Sequence, residues 1–163
     1  EGISTTSIMK NWFFLFILIP LLSFAQSKET VVESENFSIN LPSLWKATND
    51  EGIYNIFPDN KLGAITISGY ENLNLSEEEI KPFILNLYGR NDNIHEIKTK
   101  SNKGTLEYHF NFVDTDNNVT WNTKIVKKDQ LIYIISISCP TKYWNGPYRN
   151  LFLETYNSFK LKK

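Results

Sequence analysis

The side chains that serve metals, redox chemistry and covalent catalysis are scarce in this chain. There is one cysteine, Cys139, and there are two histidines, His95 and His109, in 163 residues. A single cysteine excludes an intramolecular disulfide. Cys139 ends an apolar stretch, where a thiol serves as a small buried hydrophobe, and its alternative use in an exported chain is a bond between molecules. Two histidines far apart in sequence, with no ligand cluster beside either, have no metal-ligand spacing, so no metal and no cofactor is expected. Charge of one sign is also lacking: 17 Lys and Arg stand against 18 Asp and Glu, for a net charge of −1. A nucleic-acid binder needs a basic footprint, and a disordered chain needs high net charge with few aromatics. Neither description fits. The sequence contains no Gly-x-Ser-x-Gly, no His-Glu-x-x-His, no Cys-x-x-Cys and no phosphate-cradling glycine loop. Catalytic residues are therefore assigned to none of its positions, and the chain is read as not an enzyme.

Long apolar runs are lacking too, with one exception near the start. Met9-Lys10-Asn11 precedes an apolar stretch, residues 12–22, and Ser23-Phe24-Ala25 follows as a small-x-small site. This is the pattern of a signal peptide over residues 9–25, cleaved after Ala25 to leave Gln26 first. The apolar stretch is about 11 residues, short of the roughly 18 to 20 that span a bilayer. The rival reading is an uncleaved N-terminal anchor. Residues 1–8 carry an acid where a basic segment belongs and are set aside as upstream of the start. A periplasmic or secreted domain over residues 26–163 is expected, with no membrane span after cleavage.

The chain as a whole has 41% hydrophobic residues and 14% aromatics, enough for one sizeable core without disulfides. Phe37, Ile39 and Leu41 alternate with Ser38 and Asn40 as a strand that Pro42 ends, and Trp45 follows as a ring to bury. Residues 26–34 are a lead-in or a short edge strand. Residues 53–57 and 62–70 read as a hairpin about Asp59-Asn60-Lys61, after a turn-rich cluster at residues 49–52. Ser76 and Glu79 have the spacing of a capping box, with Leu75 and Ile80 as a hydrophobic staple. Ile80, Phe83, Ile84 and Leu87 form a core-facing stripe that Gly89 ends. Pro82 predicts a kinked first turn, or a helix that starts only near Lys81. Strands are expected at residues 94–100, 105–113, 119–127 and 131–139. In the second of these, Leu106, Tyr108, Phe110 and Phe112 share one face, leaving His109 on the solvent side. The last strand is apolar on both faces, which implies cover on both sides of a sheet. Pro147 opens a final helix whose stripe is Tyr148, Leu151, Phe152, Thr155, Tyr156 and Phe159, with Lys160, Lys162 and Lys163 at its negative end. The whole is one α+β domain.

The stretch Phe37-Ser38-Ile39-Asn40-Leu41-Pro42-Ser43-Leu44-Trp45 resembles the opening F-S-hydrophobic-x-hydrophobic-P-x-x-W element of the PsbP-like superfamily. That superfamily includes the extrinsic photosystem II protein, Ran-binding import factors and exported bacterial proteins related to DcrB. The element order corresponds from residue 36 to residue 159. The resemblance implies an antiparallel β-sheet with helices packed on both faces, an α/β/α sandwich, in a bacterial branch of the superfamily. It carries no motif of photosystem or Ran binding into these residues. The function expected is a non-catalytic binding or accessory domain whose partner is a protein or envelope component. The alternatives are an immunity protein or an effector-loading chaperone of a secretion system, and a hydrolase whose site is assembled from distant residues such as His95 or His109. Tyr143, Trp144, Tyr148 and Arg149 are the candidate partner-binding residues, because aromatics with arginine have the composition of protein-contact hot spots. Their competing use is to staple the last helix to the sheet.

Overall fold

The computed structural model of the chain describes residues 30–88, 94, 96–102 and 104–162. The expected leader, its cleavage point, His95 and the helix stop at Gly89 lie outside the described residues. In chain order the elements are β1 (Thr30–Glu33), β2 (Phe37–Leu41), β3 (Trp45–Asp50), β4 (Ile53–Pro58), β5 (Ala64–Tyr70) and α1 (Glu77–Tyr88). They continue with β6 (Lys98–Asn102), β7 (Thr105–Asp114), β8 (Val119–Lys128), β9 (Leu131–Pro140), α2 (Thr141–Trp144), α3 (Tyr148–Asn157) and β10 (Lys160–Leu161). The architecture is α+β and mostly antiparallel sheet. One sheet has seven strands in the order β3-β4-β5-β9-β8-β7-β6, and a second has three in the order β1-β2-β10.

The most apolar strand is central. β9 pairs with β5 on one side and β8 on the other, and its side chains alternate between two clusters. Tyr133, Ile135, Ile137 and Cys139 join a cluster with Ile65, Ile67 and Phe37. Ile132 and Ile134 join another with Ile125, Tyr108, Phe110 and Phe112. Ile80 and Ile84 of α1 belong to the second cluster, and Phe152 and Tyr156 of α3 to the first. The sequence pointed to helices as the cover of both faces. Much of the first cluster's cover is instead strand, since Phe37, Ile39 and Leu41 of β2 are buried there.

Phe37–Leu41 is the strand its alternation predicts, with Phe37, Ile39 and Leu41 committed to the core. It is not a strand of the main sheet. It forms the middle of the small one, between β1 and the chain's last strand. Phe37 stacks on Phe159 at 5.3 Å and meets Tyr54 and Tyr133 edge-on at 5.0 and 5.5 Å. Phe159 thus follows α3 instead of continuing it. Lys160 lies in β10, and Lys162 pairs with Glu33 at 3.1 Å, so neither sits at a helix end. β3 is an element the sequence did not signal. After Trp45 its residues are exposed, so no buried alternation marks it. Glu51 and Gly52, both at positive φ, turn it tightly into β4. β6 begins four residues later than expected, at Lys98.

The helix start at Ser76 forms as its spacing requires. Ser76 N–H donates to Glu79 Oε2 at 2.8 Å, and Glu79 N–H donates to Ser76 Oγ at 3.3 Å. The Glu79 carboxyl lies below its ordinary pKa because of the Ser76 backbone N–H. The helix begins at Glu77 and runs through Pro82, not from Lys81. Glu78 and Pro82 are both exposed, so the carbonyl that loses its donor lies on the solvent-facing side. Leu87, expected in the stripe, is 43% exposed. Tyr88 packs in its place, 5.5 Å from both Phe110 and Phe112, with its hydroxyl 2.8 Å from Ser136 Oγ.

Candidate functional site

A groove of about 420 Å³ opens between α3 and the strands β7 and β8. Its floor follows from strand register. His109 lies opposite Lys124, and Asn111 opposite Asn122, all on the face that α3 covers. Leu153, Tyr156 and Asn157 of α3 form the wall, and Glu96 and Lys98 stand at the open end, 3.5 Å apart. His109 is therefore not simply on the solvent side, as its alternation suggested. Its side chain is 24% exposed, and its Nε2 is 2.8 Å from Glu107 Oε2. The pairing is between residues two apart on one strand, which point the same way.

Lys124 is the unforeseen member. Strand alternation groups Trp121, Thr123 and Ile125 on one face and sends Lys124 to the other, which reads as solvent until α3 is placed over it. The residue is 5% exposed. Its Nζ donates to the Tyr156 carbonyl at 2.7 Å and lies 4.5 Å from the Tyr156 ring centroid. Among the described residues no carboxylate forms an ion pair with it. Burial, against the opposing pull of Glu107, pushes the ammonium down to about 8. Tyr156 adds a second oddity. Its hydroxyl is buried with no hydrogen-bond partner among the described residues, and burial pushes it well above the ordinary tyrosine range. Cys139, by contrast, is buried, with its thiol pushed up by burial and directed at the Leu62 carbonyl at 3.8 Å.

The four candidate partner residues come together on α2 and the start of α3. The Arg149 guanidinium lies 5.7 Å from the Trp144 ring, and Asn60 Nδ2 donates to Tyr148 Oη at 2.8 Å. Tyr143, Trp144 and Tyr148 are half-buried and pack on the first cluster, so much of each ring serves the fold. Beyond them along α3 a hollow of about 250 Å³ is bounded by Leu41, Pro42, Ser43, Leu151 and Thr155. Leu151 is 38% exposed there, which corrects its place in the core stripe. Leu44, at the tip of the same turn, is 79% exposed and has φ +70. Composition did not single it out.

The solution structure of cyanobacterial PsbP (CyanoP) from Synechocystis sp. PCC 6803 superposes with a TM-score of 0.64, covering 86% of this chain and 96% of that one at 10% identity. The chain has the PsbP-like fold. A crystal structure from Bacteroides thetaiotaomicron VPI-5482 matches with a TM-score of 0.52 and 19% identity over 78% of this chain. The PsbP-like chain spans 45% of that protein. No protein-family model matches the chain, and no curated protein matches it in sequence. Among the described residues no helix of this PsbP-like fold is long and apolar enough to cross a membrane.

Proposed function

We propose that the chain is an exported, non-catalytic binding or accessory domain that meets a protein of the cell envelope through the Leu44 turn and the neighbouring face of α3. The observation that carries this is Leu44. A leucine in the left-handed region costs on the order of 1 kcal/mol, and its side chain gains nothing from the core when it stands 79% exposed. A turn that holds an apolar side chain out at such a cost is suited to insertion into a partner. Leu151 and Arg149 lie on the same helix and extend the surface with an apolar patch and a cation. Trp144, Tyr143 and Tyr148 support it from behind. The leader pattern of residues 9–25 supports export, and the PsbP-like fold agrees with an accessory role. A hydrolase has less support, because the described residues that line the groove beside His109 include no serine, threonine or cysteine.

The test is affinity capture from an envelope fraction with the wild-type chain and Leu44→Glu in parallel. A partner retained by the wild type and lost with Leu44→Glu is expected, with unchanged thermal stability. A partner held equally by both, or none at any salt, overturns the proposal.

A further inference from the structure

Among the described residues the main sheet has two open edges, β3 and β6, and their charges differ. β6 runs Lys98-Thr99-Lys100, so pairing it with a copy of itself about Thr99 or Lys100 sets lysine against lysine, which protects that edge. β3 carries Lys46 and Asp50, one charge of each sign, on one face with Thr48 between them. Every residue from Lys46 to Asp50 is exposed. The tight turn at Glu51-Gly52 decides which backbone groups of β3 are open. Asp50 lies opposite Ile53 across that two-residue turn, so its N–H and C=O point at β4. Those of Thr48 and Lys46 do the same by alternation, and those of Asn49, Ala47 and Trp45 point away from the sheet. Trp45 N–H is already engaged within the Leu44 turn, donating to the Pro42 carbonyl at 3.2 Å. Ala47 and Asn49 keep both groups open, with no backbone partner beyond the edge among the described residues.

We propose that β3 is a homodimerisation edge, which pairs antiparallel with β3 of a second copy about a two-fold axis at Thr48. The backbone and the charges favour the same pairing. One centred on Ala47 sets Asn49 against Trp45, whose N–H is taken. One centred on Asn49 sets Ala47 against Glu51, where the chain has already turned. The pairing centred on Thr48 sets Ala47 against Asn49 in both directions, so all their open N–H and C=O groups are bonded. It also places Lys46 of each copy opposite Asp50 of the other, with Thr48 against Thr48 as a β-branched pair at the centre. Lys46 meets Asp59 of its own chain at 2.8 Å, but both side chains are more than half exposed, and such a pair holds its lysine weakly. The two main sheets then run on as one. Pairing at β3 does not depend on the Leu44 surface, and either can fail alone. A reactive group at position 50 faces the second copy, so its adduct has twice the mass of the chain and contains no envelope protein.

The experiment is sedimentation equilibrium of the chain as recovered from its host, over a concentration range that spans the Kd expected of a short edge, on the order of 100 μM. Lys46→Glu or Asp50→Lys alone sets like charges against each other and should weaken the dimer about ten-fold or more. Lys46→Glu combined with Asp50→Lys restores opposite charges across the axis and should return the affinity to near that of the wild type. Ala47→Pro removes an open N–H and should abolish pairing. Thr48→Cys places two thiols in a pair whose Cα atoms are about 4.5 Å apart, within disulfide reach, so it should oxidise to a covalent dimer at least about ten-fold faster than Ala47→Cys. All these positions are exposed, and the Thr48→Cys rate decides the matter if Ala47→Pro disturbs the fold. A chain that stays monomeric throughout, or a dimer that either single charge reversal leaves unchanged, overturns the proposal. So does a double variant that pairs no more tightly than the single ones, or a Thr48→Cys chain that oxidises no faster than Ala47→Cys.

Discussion

Replacing Lys124 by methionine should make the fold more stable at neutral pH and flatten its pH dependence. Burial lowers the ammonium from 10.5 to about 8, a shift of about 2.5 units at 1.36 kcal/mol each, or about 3 kcal/mol. The folded pKa lies below the unfolded one, so between these values the unfolded chain binds more protons than the native chain. Stability therefore rises with pH through that window, and the full penalty is present below about pH 8. Methionine fills a similar volume without charge. It loses the hydrogen bond to the Tyr156 carbonyl and the contact with its ring, each worth about 1 kcal/mol. A net gain of about 1 to 2 kcal/mol at pH 7 remains. Urea denaturation of both chains from pH 7 to 9.5 measures it. The wild type should gain about 2 kcal/mol over that range and the variant much less. Tyr156 does not obscure the window, because a phenol whose pKa is raised by burial lowers stability only above its ordinary range near 10. Parallel pH curves, or a Lys124→Met chain less stable at every pH, would refute the reasoning.

Trp45→Ala should cost about 2 to 3 kcal/mol in urea denaturation, less than a fully buried ring, because the indole is half-buried and meets Phe152 edge-on at 4.8 Å. Ile135→Ala, at the crossing of strands in the first cluster, should cost more, about 4 kcal/mol, by the same assay. Ser76→Ala should cost about 1 kcal/mol through the lost cap, checked by urea midpoint. Gly63→Ala should lower the thermal midpoint, since a Cβ there would stand 2.6 Å from the Ser138 carbonyl oxygen at φ +107. The mass of the chain recovered from its host should begin at Gln26, and a mass that retains residues 9–25 would favour the anchor instead.

Strand alternation was a sound guide wherever one face is buried. β7 was legible because Tyr108, Phe110 and Phe112 repeat with period two against polar neighbours, and β9 because it is an apolar run closed by Pro140. β3 was not, because an exposed edge strand buries nothing that would mark it. The capping box was legible from Ser76 and Glu79 because it is a local geometry. The partition of strands into two sheets was not, since pairing β2 with β10 joins residues more than a hundred positions apart. The sites suffered for the same reason. Arg149 and Trp144 are close in sequence and were found together. Lys124 and Tyr156 meet only when α3 lies across β8, and an alternating lysine on a strand has no local sign of burial.

The partner surface is the central claim, and a photo-crosslinking residue placed at position 44 in the living host tests it most directly. One discrete adduct with an envelope protein is predicted on illumination at position 44, with none from the same residue at Asp50, on the exposed edge strand β3. No adduct at position 44 above that control would contradict the account.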